Sequence, residues 1–171
     1  MRCDDFTVQQ HTEDVAAFIS ALQAGPVHLL GISRGGHIAF RVAQNFPDLV
    51  RALVLAGPGG VLAPSLETWL APATPPIAPG SVFIEAAGRI RRGEIDEGIA
   101  LAIDVIVGPG SWERMPEEIK QMMRDNARTV LAQIKEQRAP FARADAEAIP
   151  SYSAHSRDSE TSVVQAVEFT A

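Results

Sequence analysis

Gly31-Ile32-Ser33-Arg34-Gly35 sets a serine between two glycines at the point where an apolar run gives way to an amphipathic one. A serine held on a sharp strand-to-helix turn has an unfavourable backbone conformation that lifts its hydroxyl clear of the sheet, the arrangement called a nucleophile elbow. Ser33 is then the candidate nucleophile. Gly31 and Gly35 are expected to matter because a Cβ two residues either side of the serine collides where strand and helix come closest. The backbone N–H of Arg34 opens the helix, where unpaired donors and the positive dipole end stabilise an oxyanion. The same five residues also suit an ordinary glycine-rich turn with an incidental serine, so the flanking elements must decide.

Those flanks have the required form. Val27-His28-Leu29-Leu30-Gly31-Ile32 follows Gly25-Pro26 as a short, nearly continuous apolar run, which predicts a strand buried on both faces. Ile38, Phe40, Val42 and Ala43 fit a short helix that stops before Pro47, because the residue ahead of a proline is pushed out of the α region. A second buried strand is predicted over residues 51–56, closed by Gly57-Pro58-Gly59-Gly60. Strand, tight turn, helix and strand make a βαβ unit with parallel strands. Upstream, Thr7 and Gln10 form a capping box, and Val15, Phe18, Ile19 and Leu22 give the helix that follows an apolar stripe ending near Gly25.

Residues 7–60, including DVAAFISALQAGPVHLLGISRGGHIAFRVAQNFPDLVRALVLAGPGG, resemble the central part of a bacterial α/β-hydrolase of the single-domain, esterase-like kind. The resemblance implies an α/β fold class: a partial α/β-hydrolase fold with a parallel sheet core and a helical cap insertion. It divides the chain into a core segment with the elbow (1–60), a helical cap (61–144) and a C-terminal core segment (145–171). It implies a serine hydrolase acting on an ester-like or related acyl bond of a small molecule, without a cofactor. The alternative is a catalytically inactive hydrolase-like fragment that serves as a binding or interaction module. Family members carry further strands and a His-Gly oxyanion loop ahead of this region, so the chain is expected to be incomplete at its N-terminus. An exposed side or face of the strand over 27–32, prone to self-association, is the expected consequence.

The insertion is read from its punctuation. Pro72, Pro75, Pro76 and Pro79 mark an irregular excursion from the sheet. Helices are then predicted over 81–92, stopped by Gly93, over 94–107, stopped by Gly108-Pro109-Gly110, and over 116 to about 137, with Pro116 in the first turn. Most of their apolar residues are expected in packing, while Trp69 and Trp112, at the cap boundaries, are candidates for a pocket wall as well as for structural roles.

Four histidines compete to be the general base. His11 precedes the serine on the first helix, and His28 lies inside the nucleophile strand with its side chain expected in packing. His37 lies just past the elbow, but the family's order is serine, then acid, then histidine. His155 has that order. Ile149 to His155 is similar to the family's terminal strand-to-loop segment, and residues 163–169 resemble its closing helix. Residues 151–162 also read as a disordered tail, being rich in serine and charge. Asp145, Glu147, Asp158 and Glu160 are expected to be solvated charges, which leaves the catalytic acid unassigned.

Composition excludes several other classes. With 15 basic and 21 acidic residues the net charge is −6, which argues against a nucleic-acid partner. Arg89, Arg91 and Arg92 form the one basic cluster and suit a solvated helix end. No apolar run approaches the roughly 18 residues of a membrane span, and Asp104 interrupts the best candidate, so no membrane partner is expected. The single Cys3 excludes an internal disulfide and a cysteine-rich metal site, and no His spacing suggests a metal. A cytoplasmic location is the default expectation.

Overall fold

A computed structural model of the chain describes residues 6–57, 79–135, 141–142, 144–145, 149, 153–157 and 164–168. The described elements fall into two compact units, Val8–Ala71 with Gln137–Ala171, and Pro72–Glu136 with Met1–Thr7.

In the first unit the elements begin with α1 (Val8–Leu22), β1 (Val27–Ile32) and α2 (Arg34–Asn45). A single 3-10 turn over Pro47–Leu49 leads into β2 (Val50–Ala56). β1 and β2 pair in parallel from Val27↔Val50 to Ile32↔Ala56, as the βαβ pattern requires. α2 stops at Asn45, ahead of Pro47. Two further strands, β3 (Ser153–Arg157) and β4 (Val164–Glu168), complete a sheet of order β1-β2-β4-β3.

β4 runs antiparallel to both β2 and β3. The closing helix expected over 163–169 is therefore a strand over Val164–Glu168. Val164, Val167 and the residues between them are compatible with either period, and the free edge of β2 supplies partners for N–H and C=O groups that so short a helix would leave mostly unpaired at its ends. The tail reading of 151–162 is likewise replaced by a strand over Ser153–Arg157; the remaining residues of that stretch lie outside the described ones.

Packing is one-sided along β1. Val27 and Leu29 join a core of Ile19, Ala39, Phe40, Val42, Ala43, Val50, Leu53, Leu55 and Ile149. The alternate residues His28, Leu30 and Ile32 are exposed, Leu30 at 61% and Ile32 at 64%. A strand buried on both faces was the expectation, and one face is open: α2 covers the row of Val27, Leu29 and Gly31, and among the described residues nothing covers the other row. Among the described residues β1 is also an edge of the sheet. On α1 the buried face is Val8, Thr12, Ala16 and Ile19, whereas Phe18 and Leu22 of the expected stripe are exposed. Thr12 is accommodated because its hydroxyl donates to the Val8 carbonyl at 2.8 Å.

The second unit is helical: α3 (Pro79–Arg92), α4 (Ile95–Val107), the single turn α5 (Ser111–Arg114), α6 (Glu117–Asn126) and α7 (Arg128–Gln133). α3 and α4 approach closely at Gly98, where a Cβ would stand 2.7 Å from the Ala86 carbonyl oxygen. The long helix expected from 116 is broken at Ala127, whose amide donates to Arg124 in an i to i+3 bond. Asn126 and Thr129 side chains bond neighbouring carbonyls there and compete with the helical ladder.

Trp112 is buried with Ile90, Ile99 and Ala127. The Lys120 ammonium and the Arg124 guanidinium lie 5.5 and 5.7 Å from its ring centroid. Trp112 is thus a core residue of this unit, while Trp69 falls outside the described residues. Arg124 also donates to both carboxylate oxygens of Asp96, at 2.7 and 2.9 Å. Asp104, read from sequence only as an interruption, accepts the amides of Gly110 and Trp112 at 3.0 Å each and so fixes the turn that launches α5. No described helix is long and apolar enough to cross a membrane.

Two stability predictions follow from these placements. Leu53, fully buried, should cost about 2–5 kcal/mol when replaced by Ala, whereas Leu30→Ala on the open face should cost under about 1 kcal/mol, read by chemical denaturation. The amides of Trp112 and Gly110 hold the Asp104 carboxyl below its ordinary value of 3.8. A depressed carboxylate stabilises the fold above its unfolded value and loses that contribution as pH falls through the folded one. Asp104→Asn should therefore lower the melting temperature at neutral pH, with the gap from the parent protein closing as pH drops below about 4.

Candidate active site

Ser33 occupies the junction of β1 and α2 with φ 50° and ψ −123°. It is one of two described non-glycine residues with positive φ, the other being Gln23. For a serine this conformation is costly, on the order of 1–3 kcal/mol, and persists only where neighbours over-determine it. Three backbone bonds do so. The Ser33 amide donates to the Ala56 carbonyl at 3.2 Å, and the Ser33 carbonyl accepts the amides of Gly36 and His37 at 2.9 and 3.3 Å. The side chain is exposed and makes no capping bond to α2.

Gly31 is the steric condition for this turn. A Cβ there would stand 2.5 Å from the Gly35 carbonyl oxygen, 2.6 Å from the Gly36 Cα and 2.8 Å from the Ala39 Cβ. Two of these are backbone atoms that cannot give way without moving the helix. Gly35 differs from expectation: a Cβ at Gly35 would meet nothing within 4 Å. Its carbonyl, and not the space at its own Cα, forms the close contact with Gly31. Arg34 is the first residue of α2, so its amide lies in the turn where helix donors and the dipole favour an anion.

The histidines are arranged differently from the sequence expectation. His37 is 1% exposed and packs against Phe141, ring centroids 4.4 Å apart. His28 is exposed on the open face of β1, not in packing, because β1 is covered on one side alone. His11 is half-buried on α1. His155 stands in the middle of β3, opposite Ala166 of β4, which pairs with Val54 of β2, which pairs with Leu30 of β1. Its backbone is thus three strands from β1, about 14 Å at ordinary strand spacing, and in the row of Leu30 rather than of Ser33. This pairing does not bring His155 alongside Ser33.

Asp145 is a held carboxylate, where a solvated one was expected. One oxygen accepts the Gln44 amide at 2.9 Å, and the other accepts the Ala142 backbone N–H at 3.0 Å and lies 3.4 Å from Arg41. The Ala142 amide first, then Gln44 and Arg41, hold its carboxyl below the ordinary range. Phe141 and Asp145 carried no periodic signal in the sequence, since their partners lie about a hundred residues away on α2. Glu147, Asp158 and Glu160 lie outside the described residues. Among the described residues, no group of three His, Cys, Asp or Glu side chains could hold a metal ion.

A βαβ unit with a strained serine at its turn has the form of the strand-turn-helix segment of an α/β-hydrolase fold. The alpha/beta hydrolase fold family model matches residues 1–91, more than half of the 171-residue chain, and the chain belongs to that family. Its architecture is a partial α/β-hydrolase fold. No solved structure matches it.

The elbow geometry separates three substitutions by denaturation. Gly31→Ala should destabilise by about 1–3 kcal/mol through overpacking. Gly35→Ala should be neutral or stabilising by up to about 1 kcal/mol, since the site is open and helical. Ser33→Gly should stabilise by about 1 kcal/mol, because glycine adopts positive φ without the serine's strain.

Proposed function

We propose that the chain is a serine hydrolase of its family, acting on an ester-like or related acyl bond of a small molecule. The single observation that supports this most is the backbone of Ser33, φ 50° with ψ −123°, a strain outside the left-handed helical region that a merely structural turn has no reason to retain at an exposed serine. The Ser33 Oγ attacks the acyl carbon while a base takes its proton, and the carbonyl π electrons move onto oxygen. The Arg34 amide at the N-terminus of α2 donates to that oxyanion. Collapse of the tetrahedral intermediate expels the alcohol, protonated by the same base, and water then releases the acid from Ser33. None of these steps needs a cofactor. The helical unit is proposed as the cap, a cytoplasmic setting is proposed, and the open edge of β1 is proposed to favour self-association.

The family's chain order, serine then acid then histidine, supports His155 as the base in this reading. The sheet register, with His155 three strands from β1, favours a second reading in which the chain retains the fold without turnover and acts as a binding or interaction module. A fluorescent alkyl phosphonate separates the two. Catalysis predicts covalent labelling at Ser33, none in Ser33→Ala, and a loss on the order of a hundredfold in rate for His155→Ala. Folded protein that resists the probe would leave the binding-module reading.

A further inference from the structure

His37, Phe40, Arg41 and Gln44 form one stripe along α2, at spacings of three and four residues. A short segment far along the chain is seated on all four. The Phe141 ring lies 4.4 Å from the His37 ring and 5.1 Å, edge-on, from Phe40, and the Arg41 guanidinium sits 5.7 Å from its centroid. Asp145 closes the segment back on itself through the Ala142 amide and ties it to Gln44 and Arg41. The ion pair is well shielded, with side-chain exposures of 14% and 24%.

The upper end of this stripe bears on the elbow. The His37 amide donates to the Ser33 carbonyl, so a force that fixes His37 also fixes the residue held at positive φ. A strained conformation persists only when its surroundings leave no cheaper one, and Phe141 packed on a fully buried His37 removes the freedom of the first turn of α2 to unwind. We infer that Phe141, seated by Asp145, is a positioning residue for Ser33 that holds the elbow in its strained conformation; the catalytic consequence rests on the proposed role of Ser33 as nucleophile.

A double-mutant cycle on stability tests the mechanical part without any activity. With Phe141 removed, the elbow relaxes and gives back its strain, but only while a serine is there to be strained. Phe141→Ala should therefore lower the folding equilibrium constant about fivefold or more less in the parent chain than in the Ser33→Gly background. Equal losses in the two backgrounds would overturn the inference. Phosphonate labelling reads the catalytic part: Phe141→Ala should reduce the maximal labelling rate at Ser33 about tenfold with the half-saturating probe concentration unchanged, and Phe141→Tyr, which keeps the ring, should restore it. Val50→Ala, which weakens the same core at the end of the β1–β2 pair remote from the elbow, should leave labelling per folded molecule unchanged. A parent chain that does not label, together with a non-additive cycle, would refute the nucleophile and keep the positioning device. A labelled parent with an unaltered Phe141→Ala rate would refute the catalytic role of Phe141. Should Phe141→Ala not fold, Phe141→Leu carries both measurements.

Discussion

The contact between Gly31 and the Gly35–Gly36 backbone is the constraint on which the rest of the fold depends. It lets α2 approach β1 at a distance that any side chain would forbid. The chain must then reverse from strand to helix within one residue, and that residue takes the positive φ. Ser33 is exposed because both neighbouring elements turn away from it. The strain is local, but the forces that hold it are distributed: β2 through Ala56, α2 through Gly36 and His37, and the distant Phe141 through the His37 ring. On the proposed reading of Ser33 as nucleophile, a hydroxyl mounted this way needs little reorganisation on meeting a substrate, which is how preorganised sites lower barriers.

The sheet built on this unit is asymmetric. α2 covers one row of β1, with α1 packed in turn on α2, and the opposite row presents Leu30 and Ile32. On its other side β2 is paired with β4, an antiparallel strand. Backbone satisfaction explains that arrangement, since an unpaired edge on a buried strand is more costly than an irregular topology. It also sets the position of His155, whose distance from Ser33 is a consequence of register and not of its order in the chain.

The helical unit holds together by different means. Its apolar core is small, with Trp112 at its centre, and polar side chains organise its turns. Asp104 gathers two amides ahead of α5, while Arg124 joins Asp96 and Glu117 and stacks near Trp112. Such charge-assisted bonds specify loop geometry where apolar packing alone would allow several.

Local sequence determined the elements that local physics governs. The glycine spacing, the apolar run over 27–32 and the proline after α2 were sufficient for the βαβ unit, the elbow and the boundaries of α1, α3 and α4, because backbone sterics and hydrophobic period act within a few residues. Tertiary structure alone decided the rest. Whether residues 164–168 form helix or strand depended on the free edge of β2, and whether β1 is covered on one face or two depended on which elements pack against it. Gly35 proved roomy because crowding is a property of the opposing backbone. Asp145 became a held carboxylate, and Phe141 a contact of His37, through partners about a hundred residues distant, and no local pattern encodes a contact of that range.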